Sequence, residues 1–227
     1  MIYILNIETS TKNCSVSLSK NGQTLVLKEV ATAGFSHAER LHAFIDEACK
    51  DAGITLHDLH AVAVSQGPGS YTGLRIGVSA AKGLCFALDI PLIAVDTLTA
   101  MASKVTIEQG YIVPMIDARR MEVYSAIFNA DLVKIRTTEA EILTENSFAD
   151  YTAPIYFLGD STPKAQTVLT QSNFTFLSDL VYPSAQEMSA LSYIKFENSL
   201  FEDVAYFEPF YLKDFLITPT KKPISDN

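Results

Sequence analysis

The sequence is short of positive charge, of cysteine and of long apolar runs, and each shortage excludes something. Lys and Arg total 17 against 26 Asp and Glu over 227 residues, a formal net charge of -9. A surface of that sign repels polyanions, which argues against a broad electrostatic grip on RNA or DNA. The imbalance is uneven: residues 1–100 hold 7 basic and 9 acidic side chains, and residues 101–227 hold 10 and 17. The second half is the poorer place for a polyanion to dock. Cysteine occurs only at Cys14, Cys49 and Cys85, an odd number with no CxxC, so neither a disulfide framework nor a thiolate zinc site is expected. His37, His42, His57 and His60 do not have the spacing of metal ligands. There is no Gly-Gly pair, no P-loop and no GxSxG elbow. Apolar runs fall short of the roughly 18 residues of a membrane span, and the apolar start is broken by Glu8 without a basic head. A cytoplasmic protein is expected, without metal or cofactor.

What is present is ample material for a core. Hydrophobic residues make up 48% and charged residues 19%, the composition of a folded chain. Ile2–Ile7 reads as a buried strand, Cys14–Ser19 alternates, and Asn21-Gly22 marks a hairpin into Thr24–Val30. Ser36 with Glu39 forms a capping-box pattern opening a helix to about residue 52. Ala61–Ser65 and Leu92–Val95 read as strands around a helix at 70–88, and 97–105 as a further helix. The second half restarts the pattern. Val113-Pro-Met-Ile-Asp117 echoes Ile4-Leu-Asn-Ile-Glu8, an apolar strand ending in a carboxylate, followed by a turn and a returning strand at 122–128. Ile155–Leu158 is another strand, Ser184 with Glu187 opens a last helix, and Pro219 and Pro223 mark a frayed tail. The class is α/β with two related lobes, 1–105 and 106–227, and with the last helix or strand returning to the first lobe.

Four features carry chemistry. The run Gly67-Pro-Gly-Ser-Tyr-Thr-Gly73 sets Ser70 and Thr72 at a helix start, with Arg75 one turn inside. It reads either as an anion site or as a strand-to-helix turn whose glycines serve packing. The helix that follows is apolar nearly all round, with Leu74, Ile76, Ala80, Ala81 and Leu84, so its outer face needs a cover from helix 37–52 or from a partner. Glu8 and Asp117 end equivalent strands, with Thr9 and Ser10 beside the first. In a two-lobed nucleotide-binding fold such acids would hold a hydrated metal against phosphate; the other reading is turn caps inherited from an ancestor. Arg119 and Arg120 sit in a turn, where one could pair with Asp117 or Glu122 and the other meet RNA or a partner carboxylate.

The order of these motifs resembles the TsaB (YeaZ) family. The resemblance lies in Ile4-Leu-Asn-Ile-Glu-Thr-Ser-Thr11 with Cys14–Leu18, in His37-Ala-Glu-Arg-Leu41, and in Gln66-Gly-Pro-Gly-Ser-Tyr-Thr-Gly-Leu-Arg-Ile-Gly77. It continues in Asp117-Ala-Arg-Arg120 with Glu122-Val-Tyr124, and in Pro209-Phe-Tyr-Leu212, similar to the family's closing strand. It is dense over residues 1–128 and loose beyond. Glu8 stands where many members have Asp, and Ala38 where Ser is common. The resemblance implies the ribonuclease-H-like fold of actin, Hsp70 and sugar kinases. It implies a non-catalytic scaffold that binds and stabilises TsaD, the transferase that makes N6-threonylcarbamoyladenosine next to the tRNA anticodon. TsaE would join the complex, TsaC would act earlier in the pathway, tRNA would be met indirectly, and the chain alone would form a homodimer through the same face. Interface candidates carried onto this sequence are Leu41, Ile45, Leu74, Ile76, Ala80, Ala81 and Leu84, with Glu8, Thr9, Ser70, Thr72 and Asp117 as a vestigial nucleotide-type site and Arg75 and Arg119 as anion contacts. The alternative is a small ATPase or kinase of the same fold using Glu8 and Asp117.

Overall fold

The structure, a computed structural model, describes residues 1–31 and 37–212. The Ser36 cap and the proline tail lie outside the described residues. The chain opens with β1 (Tyr3–Glu8), β2 (Asn13–Lys20) and β3 (Gln23–Ala31), then α1 (His37–Asp51), β4 (Ala61–Gly67), α2 (Tyr71–Leu88), β5 (Leu92–Asp96) and α3 (Thr97–Ala102). A second series follows: β6 (Tyr111–Asp117), β7 (Glu122–Asn129), β8 (Lys134–Ile142), β9 (Ile155–Leu158), α4 (Thr162–Ala165), β10 (Phe174–Phe176) and α5 (Ala185–Glu197).

The two series build the same sheet twice. The first has strand order β3-β2-β1-β4-β5, and the second, read from its other edge, β8-β7-β6-β9-β10. In each, three antiparallel strands are extended by two parallel ones. The echo between residues 4–8 and 113–117 is the sequence trace of this repetition.

β1 lies mid-sheet and is covered on both faces. Leu5 and Ile7 join Leu41 and Ile45 of α1 and Val78, Ala81 and Cys85 of α2 in one core. Ile4 points the other way, into a cluster with Ala185 and Met188 of α5. β2, whose sequence alternates, is buried on both faces apart from its last residue. Its serines are capped by α5: Ser17 donates to the Ala185 carbonyl (2.7 Å) and Ser15 accepts from the Ala185 amide (3.0 Å), while α5 also reaches β1, Ser192 donating to Asn6 (2.6 Å). Buried hydroxyls are tolerated here because each of these has a partner.

Three local expectations change. Ser184 caps α5 by accepting from Gln186, while Glu187 turns away to pair with Lys104 at 3.3 Å, so no capping box forms. Residues 209–212 form no strand; Phe210 makes one backbone bond, donating to the Gln66 carbonyl at 2.7 Å. β8, α4 and β10 are elements that pattern reading did not find.

Candidate functional site

The Gly67–Gly73 run folds as a lid on the turn after β1. The Ser70 amide donates to the Ser10 carbonyl at 2.6 Å, and the Thr9 hydroxyl donates to the Gly73 carbonyl at 2.8 Å. A Cβ on Gly69 would collide with the Ser10 carbonyl oxygen, and one on Gly73 with that of Thr9. The glycines therefore serve backbone packing. Ser70 is the helix cap, its hydroxyl accepting from the Gly73 amide at 3.3 Å. The segment brings Glu8, Thr9 and Ser70 together, but it closes over them. Glu8, Thr9 and Ser10 are fully buried.

Burial dominates the chemistry of Glu8. Loss of water pushes its carboxyl up from the usual 4.5 to about 7, against the pull of the Ser10 hydroxyl and amide (2.6 Å to the amide), the Ser65 hydroxyl and Lys104. Its second oxygen makes no hydrogen bond within ordinary geometry, and neither do the Ser10 and Ser65 hydroxyls beside it. A carboxyl so placed is poorly suited to gripping a hydrated cation.

Asp117, its counterpart in the second sheet, is half-exposed and bound to Lys164. The expected partners Arg119 and Arg120 do not pair with it through their side chains, because Lys164 reaches it first; only the Arg119 amide donates to it, at 3.1 Å. Asp160 lies behind, accepting from the Asp117 amide at 2.8 Å, and burial raises its pKa to about 6. Arg75 stacks 4.6 Å from the Tyr71 ring centroid and bonds to Tyr211, so it is held by aromatics on the outer side of α2. Among the described residues no group of three or more His, Cys, Asp or Glu could hold a metal.

The open feature lies elsewhere, in a groove of about 1070 Å³ between α1 and α2. Its walls include Ile76, Ala80 and Leu84, with Ile45 at the floor and Thr72 and Arg75 near one end. Leu41, Leu74 and Ala81 are corrected as interface candidates because all three are buried: Leu41 and Ala81 join the first sheet's core, where α1 covers β2 and β3 and α2 covers β4, and Leu74 lies beneath Gly67. Ile45, also buried, is at most part of the floor. Ser79, Gly83, Ile54, Leu56 and Tyr71 line the groove and were missed. Phe86, 85% exposed, continues the outer stripe of α2 defined by Arg75 and Ser79 and was missed too. The signal was available: an aromatic seven residues after Ser79 on one helical face. A Cβ on Gly83 would meet nothing within 4 Å, so a small residue keeps the groove open there. Among the described residues no helix is long and apolar enough to cross a membrane.

Comparison with known proteins places this geometry. Residues 31–222 match the family model described as TsaD, tRNA N6-adenosine threonylcarbamoyltransferase. The chain is 31% identical over 223 residues to the tRNA threonylcarbamoyladenosine biosynthesis protein TsaB of Haemophilus influenzae, covering 93% of both chains. It is 38% identical over 109 residues to the tRNA N6-adenosine threonylcarbamoyltransferase of Bacillus subtilis, covering 41% of this chain and 32% of that one. The structure of YeaZ from Pseudomonas aeruginosa superposes with a TM-score of 0.79 at 25% identity, over 93% of this chain and all of the other.

Proposed function

The chain belongs to the TsaB (YeaZ) family, with two ribonuclease-H-like lobes, and from that premise we propose that it is a non-catalytic scaffold of tRNA threonylcarbamoyladenosine biosynthesis. In this reading it binds and stabilises the threonylcarbamoyltransferase TsaD through the α1–α2 groove. TsaE joins that complex, TsaC supplies the pathway upstream, and the same face forms a homodimer when TsaD is absent. The work is done in the cytoplasm, by residues 1–105 as the docking lobe and 106–227 as the second lobe, whose last helix α5 returns to cover the first sheet.

One observation carries the reading. The turn after β1 that carries Glu8 and Thr9 is closed over by Gly67–Gly73, while an apolar groove between two helices stands open on the outside. Ile76, Ala80 and Leu84 are only partly buried along the groove, and Phe86 stands exposed on the neighbouring stripe of α2. Apolar surface of this extent marks an interaction site. Small residues at Ala80 and Gly83 let a partner helix approach closely. The relation to TsaD supports a quasi-symmetric pairing, since the TsaD model matches this chain over most of its length.

The alternative, an ATPase or kinase using Glu8 and Asp117, requires both acids to present charge to a shared metal–phosphate group. Glu8 is buried, has its pKa raised to about 7 and lies under the Gly67–Gly73 lid. Asp117 is already neutralised by Lys164. The test is light scattering on the chain alone and mixed with TsaD from the same cell. A homodimer that converts to a heterodimer is expected; a monomer that ignores TsaD would refute the scaffold reading.

A further inference from the structure

The turn between β6 and β7 holds a conformation its residues disfavour. Arg119 has φ 72° and Arg120 φ 52°. Consecutive non-glycine residues at positive φ occur nowhere else among the described residues. The left-handed region crowds Cβ against the carbonyl, so bulky side chains avoid it. The chain has the easier solution at its other tight hairpin, where Asn21-Gly22 carries positive φ between β2 and β3. Here it keeps two arginines and braces them instead. Lys164 donates to the Arg120 carbonyl (2.9 Å) and the Glu122 carbonyl (2.6 Å) and binds Asp117, which also accepts the Arg119 amide.

The brace leaves the guanidinium charges unspent. Lys164 and Asp117 cancel each other, and both arginine side chains are exposed without an ion pair among the described residues. Exposed Lys12, at the matching turn of the first sheet, lies within electrostatic reach of Asp160 at the base of this turn. Two guanidinium groups, without an ion pair among the described residues, thus stand exposed at this turn of a chain whose net charge is -9. Strain that persists under dedicated bracing points to a use for the side chains it displays.

We propose that Arg119 and Arg120 form a small phosphate-contacting tip that touches the tRNA backbone while TsaD holds the reacting nucleoside. This rests on the family reading above, and it places a direct if narrow tRNA contact on this chain. Two charges suit a local touch that orients the RNA, consistent with an acidic remainder that repels it elsewhere.

The test uses the full chain in complex with TsaD and an unmodified tRNA transcript, titrated at several salt concentrations. Two double variants are compared: Arg119→Asn with Arg120→Gly, and Arg119→Lys with Arg120→Lys. The Asn-Gly variant is expected to raise Tm by a few degrees, because the turn relaxes. It should also weaken tRNA binding roughly fivefold to tenfold and flatten the slope of log affinity against log salt by about 1 to 2. The Lys pair should keep binding within about twofold. Wild-type affinity and slope in the Asn-Gly variant would overturn the proposal, whatever its Tm. Light scattering on the same samples separates the two readings. If the Asn-Gly variant no longer joins TsaD, the tip is part of the protein interface and the proposal fails. If even the wild-type chain ignores TsaD, the scaffold reading fails, and the same titration on the chain alone at low salt decides the tip by the same two outcomes.

Discussion

Replacing Glu8 with Gln gives a sharp test of the closed cleft, because the structure fixes both the sign and the pH window. The folded carboxyl titrates near 7 and the unfolded one near 4.5. Between those values the native state holds a proton that the unfolded state has lost, so stability falls as pH rises through the window. Below 4.5 both states are protonated and the penalty vanishes; above 7 it is fully present, at about 3 kcal/mol. Glutamine cannot ionise, keeps the oxygen that accepts the Ser10 amide, and offers its new NH2 to the Ser10 or Ser65 hydroxyl. Glu8→Gln should therefore leave stability nearly unchanged at pH 4.5 and add about 3 kcal/mol at pH 8. Asp160 titrates in the same direction but is present in both proteins, so it drops out of the difference. Urea denaturation followed by far-UV circular dichroism at both pH values reads this as a midpoint shift of about 1 M or more at pH 8 alone. A loss of stability at pH 8, or an equal change at both values, would refute the reading of Glu8 as a desolvated carboxyl.

Other substitutions separate packing from docking. Gly73→Ala forces a Cβ into the Thr9 carbonyl and should cost more than about 3 kcal/mol, while Gly83→Ala meets open space within a helix and should add about 0.5–1 kcal/mol to the isolated chain; thermal melts compare them directly. Leu41→Ala should lower stability by about 2–5 kcal/mol, with TsaD affinity unchanged wherever the variant is folded, as calorimetric titration would record. Phe86→Asp should do the reverse, leaving Tm within about a degree and weakening TsaD binding by about 2 kcal/mol or more. Millimolar ATP should leave the melting temperature of the chain unchanged, and a clear rise would revive the kinase reading.

Much of the first sheet was legible because its signals are local. Asn21-Gly22 has one common use, Ser70 caps where it should, and the apolar core of β1 reads directly as a central strand. The second sheet was harder. β8 (Lys134–Ile142) alternates polar residues with isolated apolar ones on an edge, where one face meets water. β10 has only three residues and takes its pairing from β9. The cover over the serines of β2, α5, comes about 170 residues later, and no local pattern announces it. The same limit applied to the proposed docking face. Periodicity showed that α2 is apolar on two sides, but not which side meets β4. Val78 and Ala81 went to the sheet's core, while Ile76, Ala80 and Leu84 pack against its margin only partly buried and line the groove.

Hydrogen exchange on the chain with and without TsaD tests the docking face most directly. Added protection should appear in α2 across residues 71–88 and in the facing stretch 42–56, with little change in β1 or β4, which are already buried. Protection confined to other segments, or none despite demonstrated complex formation, would contradict the assignment of the α1–α2 groove as the surface through which this chain acts.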